Sequence, residues 1–262
     1  MHIESIAVTP VKGLGLNHPA AVDVTATGVP GDRRFAVVDA EGRMVNGKQL
    51  GELVRVHALW NETPETLVLV FPDGARVGGE VRLGGDVAAV FHGKVRPSRL
   101  VLGDYAQALS DAFGRDLRLV QVPDTGAIDR PGVGSVSLQS AAALLALAHA
   151  MGERDAVDGR RFRMTFTLAG AGAHAEDAWI GRRVRIGGAV VVPEGHVGRC
   201  VVTTQNPDTG LSDLDTLKTI AQYRGDAPTT AKLAFGVHGR VVVPGRVAVG
   251  DAVEMLDVLG TV

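Results

Sequence analysis

Residues 198–210 read GRCVVTTQNPDTG and contain the chain's only cysteine, Cys200. Arg199 precedes this cysteine, and the β-branched residues 201–204 that follow it predict a short strand. The NPDTG sequence at 206–210 predicts a tight turn, because proline is favoured at the second position of a β-turn and glycine at its end. A short strand that leads into a tight turn is typical of a β-rich fold.

The composition of the whole chain supports this interpretation. The chain has 262 residues, of which 34 are Gly and 12 are Pro, and 45% of its residues are hydrophobic. This much apolar material, together with a net charge of only −2, excludes a disordered protein. Abundant glycine and proline favour short strands joined by turns over one long helical bundle. We therefore predict a mainly β fold with a few helices, of the α+β class.

Cysteine content, charge and hydropathy exclude several classes of protein. A single cysteine allows neither an internal disulfide nor a four-cysteine zinc or iron–sulfur cluster. The near-zero net charge argues against nucleic-acid binding. The most apolar segment, residues 141–148, is shorter than a membrane span, which needs about 20 residues. The N-terminus lacks the pattern of a secretory signal, so we expect a cytoplasmic protein without nucleic-acid or membrane partners.

The distribution of turn signals predicts two domains. Residues 123–135 are rich in Pro, Gly and Asp, and we expect a loop there that separates an N-terminal domain, 1–122, from a C-terminal domain, 123–262. Strands at a spacing of roughly 8–12 residues favour a barrel or a sandwich. Among the expected elements are strands at 53–59, 161–168, 179–185 and 201–204 and helices at 103–113, 137–151 and 214–223.

Cys200 is the residue with the clearest chemical reactivity. A lone cysteine is more often a small buried hydrophobic residue than a catalyst. Here Arg199 and His196 would make its surroundings electropositive, and Gly195 and Gly198 would let a ligand approach the backbone. Such surroundings favour the thiolate, which is both a nucleophile and a ligand for soft metals. Two hypotheses follow: Cys200 binds a soft metal, or it carries sulfur.

Cationic residues beside predicted turns form the second set of candidates. Lys12 lies in a glycine-containing turn that lacks the spacing of a P-loop, and a surface lysine is the simpler interpretation. Arg33 and Arg34 lead into a strand and would point to opposite faces, so at most one of them would face a given ligand. Arg161 and Arg163 would share one face of a strand. They form either a solvated strand edge or a cationic fork for an anion.

Three polar residues, His174, Glu176 and Asp177, lie close together in the sequence. A histidine and two carboxylates are able to bind a hard metal, but three neighbouring residues are few for such a site. A loop or turn before the next strand is the interpretation we favour.

Several of these segments together resemble the MOSC superfamily, which is named for the C-terminal domain of molybdenum-cofactor sulfurases. In the second half the resemblance rests on RFRMTFTLAG (161–170), RCVVTTQNPDTG (199–210) and FGVHGRVVVPGRVAVGDAVEML (235–256). The first half resembles the β-barrel domain that precedes MOSC in the mitochondrial amidoxime-reducing component and its bacterial relatives. That resemblance rests on PVKG (10–13), GDRRFAVVDAEGRMV (31–45) and Lys48-Gln49, so almost the whole chain is covered.

The resemblance implies an N-terminal β-barrel-like domain and a MOSC β-barrel domain that together enclose one molybdenum cofactor. Cys200 matches the cysteine that binds molybdenum in the amidoxime-reducing relatives, so it is the expected metal ligand and catalytic residue. Lys12 and Arg33 match cationic residues that hold the phosphate end of the cofactor, and Arg163 matches the arginine of a Phe-Arg-Pro-Asn segment. The expected cofactor-binding residues are Lys12, Arg33, Lys48, Arg163, Arg199, Thr203 and Asp208.

The resemblance also implies an activity. We expect an oxidoreductase that removes oxygen from N-hydroxylated or N-oxide compounds, which are small-molecule substrates. Because the chain has no cysteines for an iron–sulfur cluster, electrons would come from a separate protein of ferredoxin or flavin-reductase type. Asp208 is a candidate proton donor, although a structural role in its turn is favoured. Pyridoxal phosphate is expected only as a family-level term, because the resemblance does not include the pyridoxal-phosphate domain of the sulfurases.

Three positions depart from the pattern of these relatives. Gly13 stands where the relatives often have Ser, and Met164 and Thr165 stand where they have Pro and Asn. Besides the reductase, three alternatives stay open. The first is a sulfur carrier with a persulfide on Cys200, and the second is a protein that stores or delivers the cofactor. The third is a domain that has lost the cofactor, which the three departures allow.

Overall fold

The computed structural model describes residues 1–122 and 136–256. The loop and the domain boundary expected at 123–135 lie outside the described residues. Within the described part of the chain, strands dominate and three α-helices are present, which confirms the prediction of a mainly β fold with a few helices. None of these three helices is long and apolar enough to cross a membrane.

Most of the strands are short, in agreement with the glycine and proline content. The strands are β1 (His2–Ile6), β2 (Val11–Lys12), β3 (Ala21–Val24), β4 (Phe35–Asp39), β5 (Met44–Val45), β6 (His57–Asn61), β7 (Thr66–Val70), β8 (Arg76–Glu80), β9 (Arg82–Phe91), β10 (Lys94–Leu102), β11 (Leu117–Gln121), β12 (Val136–Ser140), β13 (Phe166–Ala169), β14 (Val184–Ile186), β15 (Ala189–Gly198), β16 (Ala234–Val243), β17 (Gly245–Ala248) and β18 (Val253–Met255). The helices are α1 (Tyr105–Phe113), α2 (Ala141–Ala150) and α3 (Thr216–Arg224), with 3₁₀ helices at Gly51–Arg55, Gly159–Phe162, Ala175–Trp179 and Val201–Thr204.

Two sheets and one helix form the first half of the molecule. Strands β2, β4, β11, β10 and β9 lie side by side in this order with β5 beside β4, and β6, β7 and β8 form a separate antiparallel sheet. One apolar core joins the two sheets, with Phe35, Leu67 and Leu119 fully buried in it. Burying a side chain of this size contributes roughly 2 kcal/mol. Helix α1 ends at Gly114, whose φ of 63° suits glycine at a helix C-terminus.

The second half is built on a seven-stranded sheet with the order β1-β13-β12-β16-β15-β14-β18. Its edge strand β1 comes from the N-terminus, and Ile3 of β1 pairs with Leu168 of β13. Strand β3 likewise pairs with β17. The N-terminal 24 residues therefore add strands to the second half, and the sheets do not separate at the boundary expected from the turn signals.

Two expected strands next to the predicted site are wrong. Residues 201–204 form a 3₁₀ helix, because the backbone N–H and the side-chain hydroxyl of Thr203 both donate to the carbonyl of Cys200 at 3.0 Å. This local hydrogen bonding overrides the β propensity of the four residues. The strand expected at 161–168 begins only at Phe166, since Gly159–Phe162 is a 3₁₀ helix and Arg163 has a φ of 53°.

Three further boundaries differ from the prediction. The helix expected at 137–151 begins at Ala141, because Val136–Ser140 is held as a strand between β13 and β16. The expected strand 53–59 starts with the 3₁₀ helix Gly51–Arg55, and the expected strand 179–185 follows the 3₁₀ helix Ala175–Trp179. In each case pairing or turn formation with the rest of the chain overrides the local pattern.

Candidate functional site

A cavity of about 400 Å³ lies between the two halves of the molecule and contains Cys200 in its wall. Of the eight residues predicted for the site, seven line this cavity: Lys12, Arg33, Lys48, Arg163, Arg199, Cys200 and Thr203. The first three come from the first half of the chain and the others from the second. Residues separated by more than 180 positions in the sequence are thus brought to one place by the contact between the halves.

The described residues that line the cavity carry positive charge and no carboxylate. The cations are Lys12, Arg33, Lys48, Arg161, Arg163 and Arg199, and two histidines, His92 and His238, also line the space. Like charges that converge on one cavity repel one another unless an anion neutralises them. The electrostatics of the cavity therefore favour an anionic ligand, and arginine forks suit phosphate or carboxylate groups.

Cys200 occupies the junction between β15 and the 3₁₀ helix Val201–Thr204. The residue is partly exposed and has an extended backbone, with φ of −137° and ψ of 178°. Its carbonyl accepts the two hydrogen bonds from Thr203, and the Thr203 hydroxyl lies 2.9 Å from that of Thr216. Thr203 therefore fixes the backbone of Cys200, although it was predicted to contact the cofactor.

Arg199 also acts on the protein's own backbone. Its guanidinium donates to the carbonyls of Phe162 and Phe235, with Nη1 at 2.9 Å from the Phe162 oxygen and Nε at 2.9 Å from the Phe235 oxygen. The guanidinium carbon lies 5.2 Å from the centre of the Phe162 ring, within the range of a cation–π contact. Arg199 thus holds the segment before Cys200 against two neighbouring elements while one edge of the side chain lines the cavity.

Arg33 and Arg163 join the two halves across the cavity wall. Arg33 Nη2 donates to the carbonyl of Arg163 at 2.8 Å, and Arg33 also forms a close ion pair with Asp32. Arg163 Nη2 in turn donates to the carbonyl of Leu14 at 2.6 Å. Both arginines have a positive φ of 53°. The prediction that only one of Arg33 and Arg34 faces the site agrees with the structure, because Arg34 pairs with Glu65 outside the cavity.

The turns of the first half bring Lys12 and Lys48 to the cavity. Gly13, next to Lys12, has a φ of +94°, a conformation that an L side chain rarely adopts. The backbone conformation at position 13 thus suits Gly, which this chain has, better than Ser, which the relatives often have. Asn46, which is buried, accepts a hydrogen bond from the backbone N–H of Lys48 at 2.9 Å through its Oδ1 atom. This contact fixes the turn that presents Lys48.

The NPDTG turn attaches the second half to the first. Gly210 has a φ of +77°, and a Cβ atom there would lie 2.1 Å from the carbonyl carbon of Gly51. Gln205 Nε2 donates to the carbonyl of Gly47 at 2.6 Å. The glycine that ends this turn is thus required both by its own backbone and by the close approach of Gly51.

Asp208 is the predicted residue that does not line the cavity. Its carboxylate accepts two hydrogen bonds from Arg160, at 2.7 and 3.1 Å, and lies beside a neighbouring cavity of about 180 Å³. The hydrogen bonds from Arg160 lower the pKa of Asp208, with burial opposing them and with Arg161 and His57 adding to the effect. An anionic carboxylate in an ion pair is a poor proton donor, which favours the structural role.

Arg161, considered above as one arm of a cationic fork with Arg163, instead binds Asp213 through two hydrogen bonds of 2.6 and 3.0 Å. Other cavity residues were missed in the sequence. His238 reaches the cavity from β16 and His92 from the β9–β10 turn. The polar residues Asn46, Ser137 and Thr165 also line it. No local pattern marks these positions, because the pairing of distant strands places them there.

His196, which was expected to make the surroundings of Cys200 electropositive, belongs to a separate buried group. Its Nε2 atom lies 3.3 Å from Asp177, and Asp177 also binds Arg224 at 2.7 Å. His174 lies 2.9 Å from the Tyr223 hydroxyl, and burial lowers the pKa of His174 to about 4. Within the described ranges no group of three or more His, Cys, Asp or Glu residues is arranged to hold a metal ion. The polar residues at 174–177 lie at the start of the 3₁₀ helix Ala175–Trp179.

Comparisons with known proteins agree with this architecture. Mitochondrial amidoxime-reducing component 1 of Xenopus laevis is 27% identical over an alignment of 283 positions. This alignment covers 96% of this chain and 81% of the relative. The corresponding protein of Mus musculus is 35% identical over 106 residues, or 38% of this chain. That match spans 31% of the mouse protein. A molybdenum cofactor sulfurase of Oryza sativa subsp. japonica is 32% identical over 83 residues, which cover 31% of this chain and 10% of the relative.

Two family models divide the chain between them. The model of the MOSC N-terminal beta barrel domain matches residues 1–112, and the model of the MOSC domain matches residues 133–254. Together they leave residues 113–132 and 255–262 unmatched. The chain therefore belongs to the MOSC family and carries a MOSC domain preceded by an N-terminal MOSC β-barrel domain.

Proposed function

We propose that the cavity binds the molybdenum cofactor and that the protein reduces N-hydroxylated or N-oxide compounds. The observation that carries this proposal is the convergence of one thiol with six cations from both halves of the chain on a single cavity. The relatives named amidoxime-reducing components support the reaction class, and the relative named a molybdenum cofactor sulfurase supports the cofactor.

The donor set of the cavity fits this cofactor. A thiolate is a soft ligand suited to a molybdenum centre that sulfur already surrounds, and the described lining residues contain no carboxylate that would favour a hard cation. Cys200 would hold the metal. Lys12, Arg33 and Arg163 would hold the phosphate end through charge-assisted hydrogen bonds. Met164 and Thr165 stand where relatives have Pro and Asn, and both still line the cavity.

The chain's own residues would position the cofactor and exclude other reactions. When bound, the cofactor supplies the two-electron chemistry that removes oxygen from the substrate. Arg199 and Thr203 hold the backbone on either side of Cys200, so they would position this residue in the cavity wall. Reduction of an N-hydroxyl group to N–H consumes two electrons and two protons and releases water. A separate protein of ferredoxin or flavin-reductase type would supply the electrons, and a cytoplasmic location stays a prediction.

Metal analysis of protein purified from a host that makes the cofactor tests this proposal. We expect near-stoichiometric molybdenum in the wild type and in Val201→Ala, and none in Cys200→Ala. Val201 is the matched control, because it adjoins Cys200, is 42% exposed and does not line the cavity. The loaded wild type should also reduce benzamidoxime with reduced viologen as the electron source.

Other outcomes separate the alternatives. Protein that lacks molybdenum but carries labile sulfur on Cys200 would contradict the proposal and favour the sulfur carrier. Protein that holds the cofactor without turning over benzamidoxime or an N-oxide would favour storage or delivery. Protein with neither molybdenum nor labile sulfur would favour a domain that has lost the cofactor.

A further inference from the structure

A second cavity of about 180 Å³ adjoins the one that contains Cys200, and we name it the annex. The two cavities share four wall residues: Val54, Arg161, Arg163 and Val202. The two cavities therefore adjoin across these side chains. The annex lies at the contact between the halves, with Arg55 and His57 on one side and Arg160 and Asp208 on the other.

The charges in the annex are only partly balanced within the protein. Arg160 is saturated, because Asp158 and Asp208 both bind its guanidinium. Arg55, by contrast, is exposed and makes no hydrogen bond or ion pair with the described part of the chain. The annex therefore keeps one cation available for an anion that arrives from solution.

Arg161 provides an independent observation. Its side chain is 6% exposed, and Nη1 and Nη2 are bound by Asp213. The remaining Nε atom is buried and has no hydrogen-bond partner within the described residues. Because Arg161 lines both cavities, its side chain forms part of the wall that they share. A buried donor without a partner is costly.

The rest of the annex wall mixes apolar and polar side chains. Leu16, Pro72 and Pro207 line it together with the shared valines, and Gln205 and Asn206 add polar groups. Gly15 faces His57, and a Cβ atom on Gly15 would lie 2.8 Å from two atoms of the His57 ring. The small residue thus leaves room for the imidazole beside Arg55. A wall with apolar contacts, a few polar groups and one available cation suits an organic anion.

We propose that the annex binds the carboxylate of a substrate whose other end lies in the Cys200 cavity, with Arg55 as the residue that selects the anion. The substrate class would then be N-oxygenated compounds that carry a carboxylate. The assignment to substrate rests on the proposed function, whereas carboxylate binding by the annex does not depend on the reaction.

Calorimetric binding of two matched probes to the cofactor-loaded protein tests this proposal. The probes are benzamidoxime and 4-carboxybenzamidoxime, which differ by one carboxylate. We expect the carboxylated probe to bind about fivefold more tightly, as for a charge-assisted hydrogen bond that is partly exposed. Arg55→Gln should remove this preference and leave the binding of benzamidoxime unchanged. Arg76→Gln, an exposed arginine of β8 outside both cavities, should keep the preference.

Two results would overturn the proposal. Equal binding of the probes by the wild type would show that the annex does not select an anion. A preference that persists in Arg55→Gln would place the carboxylate outside the annex. If the proposed reductase function fails while the Arg55-dependent preference remains, the annex binds organic anions without serving that reaction.

Discussion

Two groups of charged side chains lie next to the end of β15 and are built in opposite ways. In the first, His196 and Arg224 both contact the carboxylate of Asp177. In the second, the Cys200 cavity, six cations converge and the described lining residues include no carboxylate. In the first group, which we name the polar cluster (His174, Asp177, His196, Tyr223 and Arg224), one carboxylate lies between two basic side chains, whereas the carboxylates that pair with Arg33 and Arg161 stand outside the cavity lining.

The contacts of the polar cluster bring a histidine and an arginine to one carboxylate. The backbone N–H of Thr230 donates to Nδ1 of His196 at 3.1 Å, and Nε2 of the same ring lies 3.3 Å from the Asp177 carboxylate. Buried charges need such partners, because removing an ion from water costs several kcal/mol. Of the cavity cations, Arg33 and Arg161 pair with Asp32 and Asp213, and Arg163 and Arg199 donate to backbone carbonyls. This difference predicts that the polar cluster stabilises the fold, whereas the cations that line the cavity are the ones we propose to bind an anionic ligand.

Removal of the shared carboxylate should have the largest effect. In Asp177→Ala, Arg224 and His196 lose their partner in a buried setting, and we expect a loss of about 3 kcal/mol in the free energy of unfolding. Asp86→Ala is the matched control, because Asp86 is 94% exposed and lies 3.7 Å from Arg99. Denaturant unfolding measures both variants. Equal stability of the two would show that the polar cluster is not structural and would remove the contrast with the cavity.

Arg199 lines the cavity and also donates hydrogen bonds to backbone carbonyls. Substituting it tests whether it stabilises the fold or serves to bind a ligand. Arg199→Lys keeps the charge but loses the planar fork, and we expect a loss of about 2 kcal/mol in unfolding free energy without added ligand. Arg240→Lys on the exposed pair with Glu194 should change stability by less than about 0.5 kcal/mol. If both substitutions are neutral, Arg199 belongs with the cations that face a ligand.

The pH dependence of the free energy of unfolding tests the structural role of the polar cluster. Burial, with Arg224 nearby, lowers the pKa of His174 from 6.5 to about 4, so the unfolded chain takes up a proton in this window and the folded protein does not. Stability should therefore fall as the pH falls from 6.5 to 4, by about 1 kcal/mol once solvent screening is allowed for.

The control for this pH effect is His174→Gln, in which the dependence on His174 should vanish. Burial raises the pKa of Glu176, which acts in the opposite direction, because its contribution is lost as the pH rises through the raised pKa. Glu176 is present in both proteins, so the difference between their unfolding curves isolates His174. Parallel curves for the two proteins between pH 6.5 and 4 would contradict the expectation.

The motifs of the MOSC family led to residues that the structure brings to one cavity, among them Cys200, Lys12 and Arg33. Their roles stay predictions. Arg161 was misplaced, because the positive φ of Arg163 breaks the strand that would have put both arginines on one face. Asp208 was assigned to the cofactor, yet Arg160 holds it outside the cavity. No local pattern contains these long-range contacts.

In the fold, too, elements that depend on neighbouring residues were predictable from the sequence, and contacts between distant residues were not. Helix α1 and its terminal Gly114 were predictable, because the signals lie within a few residues of one another. The 3₁₀ helix after Cys200 was not, because its β-branched residues favour a strand and a hydroxyl of Thr203 decides otherwise. The pairing of β1 with β13 joins residues separated by more than 160 positions, and no turn signal encodes it.

Lys48 gives the smallest expected effect on stability and tests the cavity directly. Its ammonium group is exposed and has no partner in the described part of the chain, so Lys48→Gln should change the free energy of unfolding by less than about 0.5 kcal/mol. The same substitution should weaken the binding of inorganic pyrophosphate to cofactor-free protein about threefold and make it less sensitive to salt. Lys218→Gln, an exposed lysine of α3, is the control for net charge. Removing one positive charge from a site that binds an anion must weaken the binding of that anion. If Lys48→Gln leaves pyrophosphate binding unchanged and raises the free energy of unfolding, the cavity cations only repel one another and do not bind an anion.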